Sequence, residues 1–160
     1  MNRSFRPRIF IDDLRAREAE ALVAIHAAGF PRPWSAHDFT ALLADRSVFV
    51  LAVRRQRLFG RRLSGFVLVR VAADEAEILT IAVHPADRRR GAGRLLMEEA
   101  LRRLYRDRIA ACFLEVDRNN HAAVGLYRSL GFKTVGERKG YYRHPNGTEG
   151  TALVMRVQLS

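Results

Sequence analysis

The stretch Leu79–Met97, LTIAVHPADRRRGAGRLLM, constrains the chain more than any other. It passes from an apolar strand through a His-Pro break, three arginines and two glycines separated by one residue into the start of an amphipathic helix. A strand feeding a glycine-bearing turn and then a helix aims several backbone N–H groups at one point, where the helix dipole adds about half a positive charge. Such a point attracts an anion. Without Cβ atoms at Gly91 and Gly93 a ligand can approach the backbone closely, and Arg88, Arg89 and Arg90 add charge at the rim. The expected ligand is a diphosphate.

At 160 residues and 48% hydrophobic content the chain can bury a sizeable core, and one domain is expected over residues 8–159 with residues 1–7 as an N-terminal extension. The formal charge of +11 admits nucleic acid, a ribosomal partner or an acidic small molecule as a partner. Lys133 and Lys139 are the only lysines, and the arginines scatter through the chain without interleaved aromatics, so direct nucleic-acid binding is not expected. Cys112 is the only cysteine, which rules out an intramolecular disulfide and favours a reducing compartment. It lies in ACFLEV, where a buried structural thiol is expected. No apolar run is long enough for a membrane span and the basic N-terminus lacks an apolar signal core, so a cytoplasmic protein without membrane contact is expected. The five histidines lack metal-ligand spacing, and no metal is expected.

Arg8–Ile11 reads as a short strand, after which Asp12 or Asp13 can cap a helix through LRAREAEALVAIHAA that Gly29 stops. In Pro31-Arg32-Pro33-Trp34-Ser35 the prolines hold the segment extended, and Ser35 can cap the helix AHDFTALLA. Trp34 is then either a lid over a binding groove or a core anchor. Ser47–Val53, Leu63–Val71 and Glu77–Val83 form a three-strand meander. From Gly91 a helix carries Leu96, Ala100 and Leu104 on one face and Arg94, Glu98 and Arg102 on a solvated one. Ile109–Val116 returns as a buried strand parallel to the earlier one, closing a βαβ unit. Asn119 or Asn120 can cap HAAVGLYRSL, which Gly131 closes in the left-handed conformation. Phe132–Val135 and Thr151–Leu159 make a last pair of strands, joined by an excursion containing Tyr141, Tyr142 and the turn His144–Gly147. The fold class is α+β, with a mixed, mostly antiparallel central sheet and flanking helices.

Ligands of βαβ units collect at the carboxyl ends of the strands, which directs attention to Glu115, the one acid in an apolar strand. An acid there must be hydrated, paired or protonated. It is either functional by position, or it faces solvent or pairs with an arginine. Tyr127 lies in the next helix between Leu126 and Leu130, as a core residue or, if its hydroxyl turns toward the phosphate turn, as a proton donor. There is no full dinucleotide fingerprint, P-loop or nucleophile elbow. Direct transfer from a phosphate-anchored donor remains.

Arg88-Arg89-Arg90-Gly91-Ala92-Gly93 resembles the R/Q-x-x-G-x-G/A signature of the GNAT superfamily of N-acetyltransferases. ILTIAVHPADRRRGAG, LEVDRNNHAAVGLYRSLGF, YYRHPNGTE and the early PWS follow the pattern of its RimI branch, the ribosomal-protein-alanine N-acetyltransferases, over roughly Ile9–Leu159. The resemblance implies a fold whose two central parallel strands splay, and acetyl-CoA as co-substrate. Its diphosphate would lie on the backbone of Arg88, Arg89, Arg90, Gly91, Ala92, Gly93 and Arg94, and its pantetheine arm along Ile81 and Val83. Asn120 would also contact the coenzyme. Glu115 would act as general base and Tyr127 as general acid, with Trp34, Tyr141 and Tyr142 facing the acceptor. That acceptor would be the α-amine of a protein N-terminus, in a ribosomal protein by analogy. A lysine side chain, polyamine or small-molecule amine is the alternative acceptor, and a non-catalytic basic RNA- or ribosome-binding module the alternative function. The oligomeric state is left open. Two departures stand out: relatives' E-D-A before the last strand is replaced by Glu149-Gly150-Thr151-Ala152, and Arg138-Lys139-Gly140 precedes the late tyrosines.

Overall fold

The computed structural model describes residues 8–12, 14, 18–143, 147 and 149–160, with the backbone alone at 141–143. The N-terminal extension at 1–7, the cap assigned to Asp13 and the turn residues 144–146 lie outside the described residues. In chain order the elements are β1 (Ile9–Asp12), α1 (Ala19–Ala27), α2 (Ala36–Ala44), β2 (Val48–Gln56), β3 (Arg61–Ala72) and β4 (Glu75–Val83). A 3-10 turn at Pro85–Asp87 leads to α3 (Ala92–Arg106), β5 (Ala111–Asp117), α4 (His121–Ser129), β6 (Lys133–Arg143) and β7 (Glu149–Gln158). The strands hydrogen-bond in the order β1-β2-β3-β4-β5-β7-β6. β4 and β5 run parallel, as a crossover through α3 requires, while β1–β2, β5–β7 and β6–β7 are antiparallel. This is the mixed, mostly antiparallel α+β sheet expected. No described helix is long and apolar enough to cross a membrane.

The chain divides into two compact units, one drawing on the chain up to Leu68 with Ile81–Glu99, the other on Val69–Thr80 with Ala100–Ser160. In the first, β3 is buried at every position from Leu63 to Leu68, which is why its sequence reads as a nearly unbroken apolar run. Gly65 interrupts that run for a steric reason: a Cβ there would stand 2.7 Å from the Ala82 carbonyl oxygen. The strand can therefore lie close against the end of β4. Arg54 of β2 ties the N-terminal segment down, donating through Nε to Asp12 at 3.0 Å and through both terminal nitrogens to Glu18 at 2.7 and 2.6 Å. Asp12 is thus the last residue of β1 and a partner of Arg54, and α1 begins only at Ala19. The cap expected at Asp12 gives way to a charge-assisted bond that a two-residue window in the sequence could not anticipate.

Ser35 caps α2 as expected, its Oγ accepting from the Asp38 N–H at 3.1 Å while the Asp38 carboxylate accepts from the Ser35 N–H at 2.8 Å. Behind this cap sits an aromatic cluster. His26 stacks on Phe30 and Trp34, with ring centroids at 4.2 and 4.9 Å, and meets Phe39 edge-on at 5.5 Å. Phe39 in turn packs on Phe66 of β3.

In the second unit, β5 alternates: Cys112, Leu114 and Val116 are buried, and Phe113, Glu115 and Asp117 are half-buried on the opposite face. The β4–β5 ladder runs from Glu75↔Ala111 to Glu77↔Phe113, and both strands continue beyond it, as splaying implies. The final pair of strands is longer than the sequence suggests. β6 reaches Arg143 and pairs with β7 throughout, with irregularities between Thr134 and Gly136 and between Lys139 and Tyr142. Gly140 lies in the second of these at φ +71°, and a Cβ on it would approach Glu149 Oε2 to 3.2 Å. The Arg138-Lys139-Gly140 departure is therefore a bulge that lets the strand carry on.

Candidate active site

The glycine-bearing turn follows the end of β4. Arg89 at φ +60° and Gly91 at φ +82° both take the left-handed region, one residue apart. Reversals of this kind turn successive backbone N–H groups to the same side and form an anion-binding concavity. The α3 ladder opens with the Leu95 N–H donating to the Gly91 carbonyl at 3.0 Å, so the N–H groups of Ala92, Gly93 and Arg94 stand ahead of it at the positive end of the helix dipole. A 15-residue helix with this turn before it fits a diphosphate. Leu96, Met97, Ala100 and Leu104 fix the helix by full burial, and Arg94 pairs loosely with Glu98 at 3.7 Å on the exposed face.

The three arginines do not play one role. All three are exposed, but Arg88 also reaches back to the Val83 carbonyl through Nε and to the Ala28 carbonyl through Nη2, each at 3.3 Å. It braces the turn as well as charging it. Directly before it lies a residue that sequence reading passed over. Asp87 is wholly buried, and its carboxylate accepts from Arg55 Nη1 at 2.6 Å and from Arg62 Nη2 and Ser64 Oγ at 2.5 Å each. Burial pushes its carboxyl up, but the bonds from Ser64, Arg55 and Arg62 outweigh it and bring the group down to about 2. The available signal was the period of two in β3, which puts Arg62 and Ser64 on one face.

Trp34 is half-buried, and its backbone N–H donates to His26 Nδ1 at 3.2 Å. That bond makes Nδ1 the acceptor nitrogen of a neutral imidazole. Burial lowers the His26 pKa, in agreement. Trp34 is thereby anchored to an aromatic cluster.

In the second unit Glu115 is half-buried on β5, opposite Val154 of β7, and Arg138 of β6 lies opposite Ala152, two residues along the same strand. Both side chains project from one face, and Arg138 Nε comes within 3.2 Å of Glu115 Oε1. The lone acid is paired, as the non-functional reading also required, yet neither side chain is fully withdrawn from water. The turn after β5 is built from its own side chains: Asp117 Oδ1 accepts from the Asn119 N–H at 2.9 Å, and Asn120 caps α4 by accepting from the Ala123 N–H at 3.2 Å. The Asn120 amide oxygen is thus committed to the helix. Tyr127 lies on the buried side of α4 with Val124, its ring 5.9 Å from that of Phe132. Tyr141 and Tyr142 fall at the bulged end of β6.

The sequence matches the model of the acetyltransferase (GNAT) family over residues 19–132. It is 31% identical to the [ribosomal protein bS18]-alanine N-acetyltransferase of Escherichia coli K12 over 94% of this chain and 97% of that protein. Among solved structures it resembles the ribosomal-protein-S18-alanine N-acetyltransferase from Escherichia coli with a TM-score of 0.86 at 29% identity, covering 96% and 95% of the two chains. The fold also resembles that of Arabidopsis thaliana NAA60 in complex with acetyl-CoA, at a TM-score of 0.81 and 20% identity over 95% and 99% of the chains. The glycine-bearing turn, the α+β sheet and these likenesses over nearly the whole chain lead to one conclusion: the chain belongs to the GNAT family of acetyltransferases.

Proposed function

We propose that the chain transfers the acetyl group of acetyl-CoA to the α-amine of a protein N-terminus, with an alanine-started ribosomal protein as the acceptor class. The observation that carries this reading is that the Arg89–Gly91 turn in front of α3 belongs to a chain alike, along almost its entire length, to enzymes named for that acceptor. Acetyl-CoA supplies an acyl group activated as a thioester. The backbone of Arg88–Arg94 and the NH₂ of Asn120 hold the coenzyme, with Ile81 and Val83 along its pantetheine arm. Backbone N–H groups near Ile81–Val83 donate to the carbonyl oxygen as negative charge develops on it. Glu115 takes the amine proton, directly or through water, and Tyr127 gives a proton to the departing thiolate. Trp34, Tyr141 and Tyr142 are assigned to the acceptor side.

The acceptor choice has an energetic reason. An α-amine with pKa near 7.7–8.0 costs only about 1 kcal/mol to deprotonate at pH 7, against about 4–5 kcal/mol for a lysine near 10.4. A carboxylate such as Glu115, acting through water, is an easier match to an N-terminus than to a lysine side chain. The test is to incubate the protein with acetyl-CoA and peptides differing only in their first two residues, each also in an N-terminally blocked form, and to locate the acetyl group by mass. Acetylation at the α-nitrogen of an Ala-started peptide is the expected result. Equal acetylation of the blocked form would move the assignment to a side-chain amine.

A further inference from the structure

We infer that Asp87 is a positioning residue for the donor, holding the Arg88–Gly91 turn against β3 through Ser64 and the guanidinium groups of Arg55 and Arg62. Ser64 grips the connection between β4 and the turn at both ends. Its carbonyl accepts from the His84 N–H at 2.6 Å, and its hydroxyl donates to Asp87 at 2.5 Å. Between those points the backbone closes on itself, with the Asp87 N–H donating to the His84 carbonyl at 2.8 Å and the Ala86 N–H to His84 Nδ1 at 3.1 Å. The next residue, Arg88, is fastened to the Val83 and Ala28 carbonyls. Every residue from Val83 to Arg88 is therefore in a bonded segment or bonded by its own atoms, and the left-handed positions begin immediately afterwards.

An apolar plug would seal this spot without the desolvation cost of a carboxylate and two guanidinium groups. What the ionic cluster adds is direction. Three bonds converge on one carboxylate and fix both the height and the rotation of the backbone from which the turn departs. The cluster also carries two positive charges against one negative. Arg62 Nε is buried without a hydrogen-bond partner among the described residues. A net positive charge under the turn favours an anion on it.

This inference rests on the reading of the turn as the seat of the coenzyme diphosphate, and the experiment separates the two. Steady-state kinetics are measured with acetyl-CoA and with S-acetylpantetheine, which presents the same thioester without a diphosphate. The wild-type protein should prefer acetyl-CoA through KM. If it shows no preference, the diphosphate reading fails, and this inference with it. Given that preference, Asp87→Asn should reduce the ratio of kcat/KM for acetyl-CoA to that for S-acetylpantetheine by about tenfold or more, as a displaced binding element does. Ser64→Ala, which removes a single bond and leaves the charges in place, should reduce it severalfold and carries the test if Asp87→Asn does not fold. A loss of kcat with both donors in equal proportion and an unmoved ratio, or no change at all, would overturn the positioning role.

Discussion

Glu115 and Arg138 stand on two strands separated by β7, and the guanidinium reaches diagonally across it to within 3.2 Å of the carboxylate. Such an arrangement keeps the carboxylate oriented without burying it. Glu115→Gln preserves shape and a hydrogen-bonding oxygen but removes the capacity to take a proton. It should lower kcat by about 10²- to 10⁴-fold with the dissociation constant for acetyl-CoA nearly unchanged. Thiol release at saturating donor, with calorimetric titration of acetyl-CoA, checks both halves, and an unaltered kcat would remove Glu115 from the mechanism. Because more than half of the Arg138 side chain is exposed, Arg138→Ala should cost less than about 1 kcal/mol of stability.

Tyr127→Phe removes one oxygen and leaves the ring on Phe132. We expect kcat to fall about 10- to 100-fold while the melting temperature moves little. A wild-type rate in single-turnover thiol release would show that another group protonates the thiolate.

At Gly91 the space around the α-carbon is open, since a Cβ would meet nothing within 4 Å, yet φ is +82°. Gly91→Ala therefore introduces backbone strain without a clash inside the protein. Its cost should be about 1–2 kcal/mol in urea unfolding, with a raised KM for acetyl-CoA as the turn relaxes. An unchanged KM alongside that destabilisation would mean that the left-handed turn is not part of the donor site.

The imidazole of His26 is held neutral by its surroundings, with a pKa below the ordinary 6.5. The folded protein thus binds fewer protons than the unfolded chain once the pH drops below that value, and stability must fall in that range. Protonation also removes the acceptor for the Trp34 N–H. Thermal midpoints compared at pH 7.5 and 5.5 should show a decline in the wild type that is shallower in His26→Phe. Equal slopes would exclude this histidine as the source.

For Asp87 the sign is the same and the window lies lower. Its pKa is lowered from 3.8 to about 2, so the stabilisation is fully present above 3.8 and is lost as the pH falls toward 2. The shift corresponds to about 2 kcal/mol at 1.36 kcal/mol per unit. Urea unfolding at neutral pH should show Asp87→Asn less stable by at least that order, and the difference should shrink at pH 2–3. A gap that is constant with pH would point to packing and not to charge.

The sequence was most readable where local chemistry decides the structure. Ser35 and Asp38 form a capping box within four residues, Gly131 takes φ +95° after α4, and Leu96, Ala100 and Leu104 share the buried face of α3. The glycine-bearing turn belonged to the same class, and it brought the family into view. What stayed hidden depends on partners far apart in the chain. Asp87 reads as an ordinary turn residue until Arg55 and Arg62 arrive from 32 and 25 positions away. Asp12 reads as a helix cap until Arg54 claims it from 42 positions away. In a chain with so many arginines, nothing in the sequence says which of them are structural. The length of β6 was missed because Gly140 and its neighbours look like a loop when the pairing with β7 is out of sight.

Cys112 is wholly buried, and burial, with Glu77 nearby, pushes its thiol up to about 12. The folded protein is therefore chemically silent toward thiol reagents. Disulfide dyes that count released coenzyme can be mixed with the working enzyme without a contribution from the protein itself. A cysteine placed at an exposed position such as His121 would be the only one to take up a maleimide probe, so a single fluorophore could follow the β5–α4 turn with no prior removal of the native thiol.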